Sequence, residues 1–227
     1  MKALSLFLSM LFSLPFALSA QSAGEMLQRV SAAIDNKHWE QAISLFRQAV
    51  NTIVEKAEMF YWAGVDKNTD VASKFANELA SFYKKSRSYD KAYLFYKELL
   101  QKSPNDVNCL ASCGEMEVCR GKEAEALKTY EKILTLDADN LAANIFVGNY
   151  YYLKAEQEKQ KIENDSKKLN TPTRMQYARY REGLSQILTT GYIKAKGYLE
   201  RVVSQFPSTE AKKTLDRIKL IEKEVNR

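Results

Sequence analysis

At 227 residues with 45% hydrophobic side chains, the chain is long enough to bury a sizeable core. Eight Gly and four Pro leave few hairpin turns, while abundant Ala, Leu, Lys, Glu, Gln and Arg favour helix, so the composition points to an all-α protein. The net charge of +6 comes from interspersed acidic and basic residues, as on solvated helix faces; no basic stripe demands nucleic acid as a partner.

The first 20 residues, "MKALSLFLSMLFSLPFALSA", join one Lys to an apolar run that ends in small residues. This pattern predicts a signal peptide cleaved after Ala20, with a retained anchor as the alternative. No Cys follows the run to carry a lipid, and no later segment reaches the ~20 apolar residues of a membrane span. A mature chain without a transmembrane segment, exported to the periplasm or beyond the cell, is expected. It forms a single domain over 21–227.

Two-helix units follow. In the first, about 23–56, Val30 and Ala42 are 12 apart, Phe46 lies four further on, and Trp39 occupies the turn. The stretch "VEKAEMFYWAGVDKNTDVA" then adds 16 residues, read as an extension of the second helix through about Trp62 and a polar turn at Asp66 to Asp70. The unit at 73–106 has Ala80 and Ala92 12 apart, Tyr96 four beyond, and Pro104 12 after Ala92. The unit at 107–140 repeats it through Gly114, Ala126 and Tyr130. The last is split: Gly148, in a helix from Leu141, and Ala195, in "TTGYIKAKGYLERVVSQFPS", are 47 apart, which is 12 plus about one repeat. Its halves are placed at 141–154 and 189–207. An inserted helical hairpin fills 155–188 with "NTPT" near its tip, a seam of Ile162, Leu169, Met175, Tyr180, Leu184 and Ile187, and a kink near Thr189 to Gly191. A capping helix over 208–226 starts at Ser208 and carries Ala211, Leu215, Ile218, Ile221 or Glu222, and Val225 on one face.

This 34-residue scheme of small residues at a helix crossing, wedging aromatics and a terminal Pro resembles the tetratricopeptide repeat. The physical expectation is that Gly or Ala on each helix faces the other, so the backbones approach closely. The resemblance implies a right-handed α-solenoid whose first helices line a concave groove for a protein or peptide. It places Asn77, Ser81, Lys84 and Lys85, then Ala111, Glu115 and Val118, then Ile145, Asn149 and Tyr152 on that face. The Lys and Asn with which chaperone-binding members clamp a C-terminal carboxylate are not reproduced, since Asn77 and Ser81 stand in those places.

A second candidate surface lies on the insert, where Lys154 to Glu182 holds eight Lys or Arg against five Asp or Glu. Tyr177, Arg179, Tyr180 and Arg181 could meet an acidic partner or anionic surface. Alternatively, the tyrosines seal the hairpin and the arginines are solvated.

Catalysis has no visible support. No phosphate-cradling loop or cofactor motif appears, and neither the Cys spacing nor the lone His38 forms a metal set. Cys109, Cys113 and Cys119 read as packing thiols on one helix, and His38, beside Asp35, reads as a turn residue more than a general base. The expectation is a non-catalytic binding adaptor or scaffold. Its rivals are a fixed subunit of an envelope assembly docking through the hairpin, and an enzyme accessory or hydrolase using the Cys cluster.

Overall fold

A computed structural model describes residues 14–226, with side chains from residue 24. The leader expected over 1–20 lies partly outside the described residues, and none of its side chains is described. Every described element is helical. The chain divides between Pro104 and Asn105 into two compact units, where the sequence suggests one domain. Pro104 cannot continue the helix before it, and Asp106 caps a new one, its carboxylate accepting from the Asn108 and Cys109 amides at 2.9 and 3.1 Å.

The first unit contains α1 (Leu14–Asp35), α2 (Trp39–Gly64), α3 (Asp70–Lys85) and α4 (Tyr89–Lys102). In α3 the apolar residues Val71, Ala72, Phe75, Ala76, Leu79, Ala80 and Tyr83 fall on one stripe, and all are buried. Asp70 in the first turn and Lys84 and Lys85 in the last match the helix dipole. Phe46 of α2 stacks on Phe75 at 3.9 Å between centroids, and neither ring has any exposed surface.

The helix α2 does run on, past the expected Trp62 to Gly64, but its path breaks at Ile53 (φ −142°, ψ 50°). Before the break, Phe46 and Arg47 meet Phe75 and Glu78 of α3. After it, Glu58 accepts from Tyr83 and from Lys91 of α4, and Tyr61 donates to Glu98. The 16 additional residues therefore form a second segment laid along α3 and α4. One non-helical residue is enough to redirect a helix, and residue type does not mark Ile53 as that residue.

The helix-to-helix turns share one device. Lys37, Arg87 and Gly121 each adopt φ near +60 to +70° (57°, 60° and 72°) five residues before Ala42, Ala92 and Ala126. At each, the following amide bonds five residues back, to Ala33, Tyr83 and Glu117, closing the helix in a Schellman motif. Left-handed backbone costs a residue with a Cβ about 1 kcal/mol relative to Gly. Arg87→Gly is therefore expected to raise stability by about that amount and Gly121→Ala to lower it similarly, read as opposite shifts of the urea midpoint at constant slope.

The second unit contains α5 (Val107–Cys119), α6 (Glu123–Leu136), α7 (Leu141–Lys167), α8 (Arg174–Ile187), a π-turn (Leu188–Tyr192), α9 (Ile193–Gln205) and α10 (Thr209–Val225). The halves of the split repeat meet: α7 packs along α9, and a Cβ at Gly148 would lie 2.9 Å from Leu199 Cγ and Cδ2. Gly114 sits the same way over Tyr130, at 3.0 Å. This corrects the expectation that small residues face small ones. Each Gly receives the bulky residue one turn beyond Ala126 or Ala195, so its missing Cβ makes room for a side chain.

Past residue 154, α7 continues to Lys167, turns at residues 168–173, and returns as α8. Thr173 and Gln176 form a reciprocal cap at the return, the Gln176 amide donating to Thr173 Oγ1 and the Thr173 amide to Gln176 Oε1. The break expected near Thr189 to Gly191 takes the form of the π-turn, through which α8 passes into α9 with helical backbone angles at both ends. Ile187, Leu184 and Ile162 do line the base of this arm, but Leu169 is 39% and Met175 65% exposed, so neither belongs to the seam. Ser208 caps α10, accepting from the Ala211 amide at 3.1 Å. Ala211, Leu215, Ile218, Ile221 and Val225 close the core, with Ile221 rather than Glu222 completing the stripe.

Candidate binding surfaces

On α3 the residues opposite the buried stripe include Asn77, Ser81, Lys84 and Lys85. Asn77 and Lys85 are exposed, and Ser81 and Lys84 half-buried. Asn77, Ser81 and Lys84 stand at helical spacing, so one face presents an amide, a hydroxyl and an ammonium. Their neighbour Glu78 is committed to Arg47, whose Nη2 donates to its Oε1 at 2.7 Å.

In the second unit, Glu115 of α5 and Asn149 of α7 are exposed. Ile145 (39%) and Leu153 (57%) flank Asn149 at one-turn intervals, forming an apolar–amide–apolar strip. Val147, Gly148 and Ala155 on the other side of α7 are buried, so the strip stands on a helix that core packing holds in place.

Tyr152 also packs against its own chain. It is half-buried with its ring edge-on to Tyr192 at 6.0 Å. Burial, then the nearby Glu156 carboxylate, raises its phenol pKa. Tyr192 donates to Glu156 Oε1 at 2.6 Å, and Arg217 of α10 donates to Oε2 at 3.0 Å. Glu156, which reads in the sequence as one charge on a solvated helix, thus joins α7, the π-turn and α10.

On the arm, Tyr177 is 57% exposed, Arg179 is exposed, and Tyr180 is half-buried. Arg181 instead donates from Nη2 to the Val225 carbonyl at 2.8 Å, tying the base of α8 to the end of α10. Ile162, Leu169, Pro172, Tyr177 and Tyr180 border a shallow depression of about 260 Å³ beside the tip.

Two features escape sequence reasoning. An open cleft of about 470 Å³ is lined by Trp39, Glu40 and Ile43 of α2 and by residues 68–71 and Lys74 at the start of α3. Trp39, 43% exposed, is its only sequence signal, and the cleft exists because the 65–69 turn brings α3 back beside α2. The other is the Glu58 cluster. Burial disfavours the Glu58 charge, but hydrogen bonds from Lys91 and Tyr83 outweigh it and hold its pKa below the usual carboxylate value. Lys91 Nζ lies 2.7 Å from Glu58 Oε2, so this ion pair pins the second segment of α2 to α4.

Cys109 and Cys113 are buried and Cys119 is exposed. Burial, helped by Asp106, pushes the Cys109 thiol up to about 11. Alkylation at pH 8 is expected to modify Cys119 within minutes, and Cys109 and Cys113 only in denaturant, as mass spectrometry of timed samples would record. Equal rates at all three sites would contradict the packing. His38 is exposed in the α1–α2 turn. No group of three or more His, Cys, Asp or Glu among the described residues is placed to hold a metal, and no described helix is long and apolar enough to cross a membrane.

The stacked helical pairs, with the same residue register at each crossing, define an all-α repeat protein. A solved structure from Bacteroides ovatus, whose proposed role is protein binding, is 64% identical over 89% of this chain and 98% of its own, with a TM-score of 0.83. The chain belongs to the family of that protein, and its repeats are tetratricopeptide repeats. More distant likenesses include a tetratricopeptide repeat protein from Parabacteroides merdae (13% identity, covering 89% of this chain and 74% of that one, TM-score 0.39). Another is a TPR repeats protein from Bacteroides fragilis (13%, 88% and 98%, TM-score 0.38). No protein-family model and no curated protein matches the chain.

Proposed function

We propose that the chain is a non-catalytic adaptor, exported to the periplasm or cell envelope, that holds a protein or peptide partner on the exposed faces of its repeat helices. The observation that carries this reading is the strip Ile145, Asn149 and Leu153. It exposes two large apolar residues at 39% and 57% on a helix whose far side is locked in the core. The protein-binding role proposed for the Bacteroides ovatus relative supports the same reading. Export rests on the leader-like first 20 residues.

The experiment is a crosslinking pull-down from native cell envelopes, comparing the wild-type chain with Ile145→Glu/Leu153→Glu. Both positions are exposed, so the variant is expected to keep its helical circular dichroism while recovering at least tenfold less of a specific partner. Equal recovery would remove the strip as the binding surface. Loss of the partner only on changing the arm would identify a fixed envelope subunit instead.

A further inference from the structure

The free end of the arm is basic and carries exposed apolar side chains. Residues 165–181 carry five Lys or Arg against the single Asp165. Asp165 is already taken by Lys168 at 2.8 Å. Lys167, Arg174 and Arg179 have no ion-pair partner among the described residues. Between these cations stand exposed apolar side chains: Met175 at 65%, Tyr177 at 57% and Leu169 at 39%. Arg181, bonded to Val225, marks where the arm meets α10, and every described hydrogen bond of residues 165–180 stays within the arm.

We propose that this tip docks on an anionic lipid bilayer surface. The apolar side chains cluster around a turn and the first turn of a helix, so they crown a narrow end. On a bilayer, the exposed Met175, Leu169 and Tyr177 enter the boundary between headgroups and acyl chains. The unpaired cations then stand at the level of the lipid phosphates. Long Lys and Arg stems suit that position, since they lie along apolar surface while the charge stays in water. The charge complementarity selects an anionic bilayer over a neutral one, and attraction of this kind is weakened by salt. The reciprocal Thr173–Gln176 cap holds the start of α8 in shape at the point of contact.

The test is cosedimentation of the full chain with vesicles of equal parts phosphatidylcholine and phosphatidylglycerol, against phosphatidylcholine alone. Binding to the mixed vesicles is expected to exceed binding to neutral ones at least tenfold and to fall as salt rises. Lys167→Glu/Arg174→Glu/Arg179→Glu should abolish the preference, and Met175→Ser/Tyr177→Ser should weaken binding to mixed vesicles several-fold while leaving its salt dependence. Thermal melts confirm folding. If the triple variant melts without cooperativity, Arg174→Glu and Met175→Ser alone carry the comparison. Absence of binding to mixed vesicles, or binding that the variants leave unchanged, overturns the proposal; crosslinking of the tip to an acidic protein, with no vesicle binding, assigns it to a protein interface instead.

Discussion

Replacing Gly191 with Leu is expected to cost at least about 3 kcal/mol and to separate the two helices of the split repeat, because there is no space for a side chain where they cross. A Cβ at Gly191 would fall 2.6 Å from Ala155 Cβ and 3.4 Å from its Cα. Ala155 is 1% exposed and has no rotamer into which it could retreat. The Tyr192–Glu156 hydrogen bond, one residue from the clash, would be strained with it. The milder Gly191→Ala gains about 1 kcal/mol of helix propensity and should still destabilise, since the contact is set by a backbone-borne methyl. Ala155→Gly on that background should restore part of the loss. Urea midpoints for the two singles and the double read the coupling directly. Additive losses would show that the helices relax apart freely, against the packing described.

Phe75→Ala should be as damaging by the opposite route, through a cavity. Its ring is fully buried and stacks on Phe46 at 3.9 Å, so truncation empties the middle of the first unit, a change that usually costs about 3–5 kcal/mol. Phe46→Ala should cost a similar amount, and the double should fall short of the sum by about 0.5–1.5 kcal/mol, the usual worth of an aromatic pair. Phe75→Leu, which refills much of the volume, should recover more than half the loss. A Phe75→Ala variant melting within two degrees of wild type, roughly what less than 1 kcal/mol would produce, would be incompatible with this core.

The repeat and its class were legible because they rest on spacing. Ala42, Ala92, Ala126 and Ala195 recur at crossings, all fully buried, and the 47 residues from Gly148 to Ala195 leave room for an inserted hairpin. The cap at Ser208 was equally local, since a cap needs only a short side chain and the amides two or three residues on.

The candidate surfaces were less legible. Helical phase separates an exposed face from a buried one, which is why Asn77, Lys85, Glu115 and Asn149 are exposed as their positions suggest. Phase says nothing about partners from distant sequence. Tyr152 rests on Tyr192, 40 positions away, and Arg181 on Val225, 44 away. Met175 and Leu169 matched a seam by spacing but are exposed.

By itself, the sequence determined an all-helical chain of two-helix repeats, interrupted by one insertion and closed by a capped last helix, because periodicity and capping act over one to three turns of backbone. Only the tertiary structure decided the break at Ile53, the meeting of Gly148 with Leu199, the left-handed turns at Lys37 and Arg87, and the employment of Glu156 between three elements. Each of these depends on which side chain arrives from far along the chain to fill a space or share a charge, and local spacing carries no record of that.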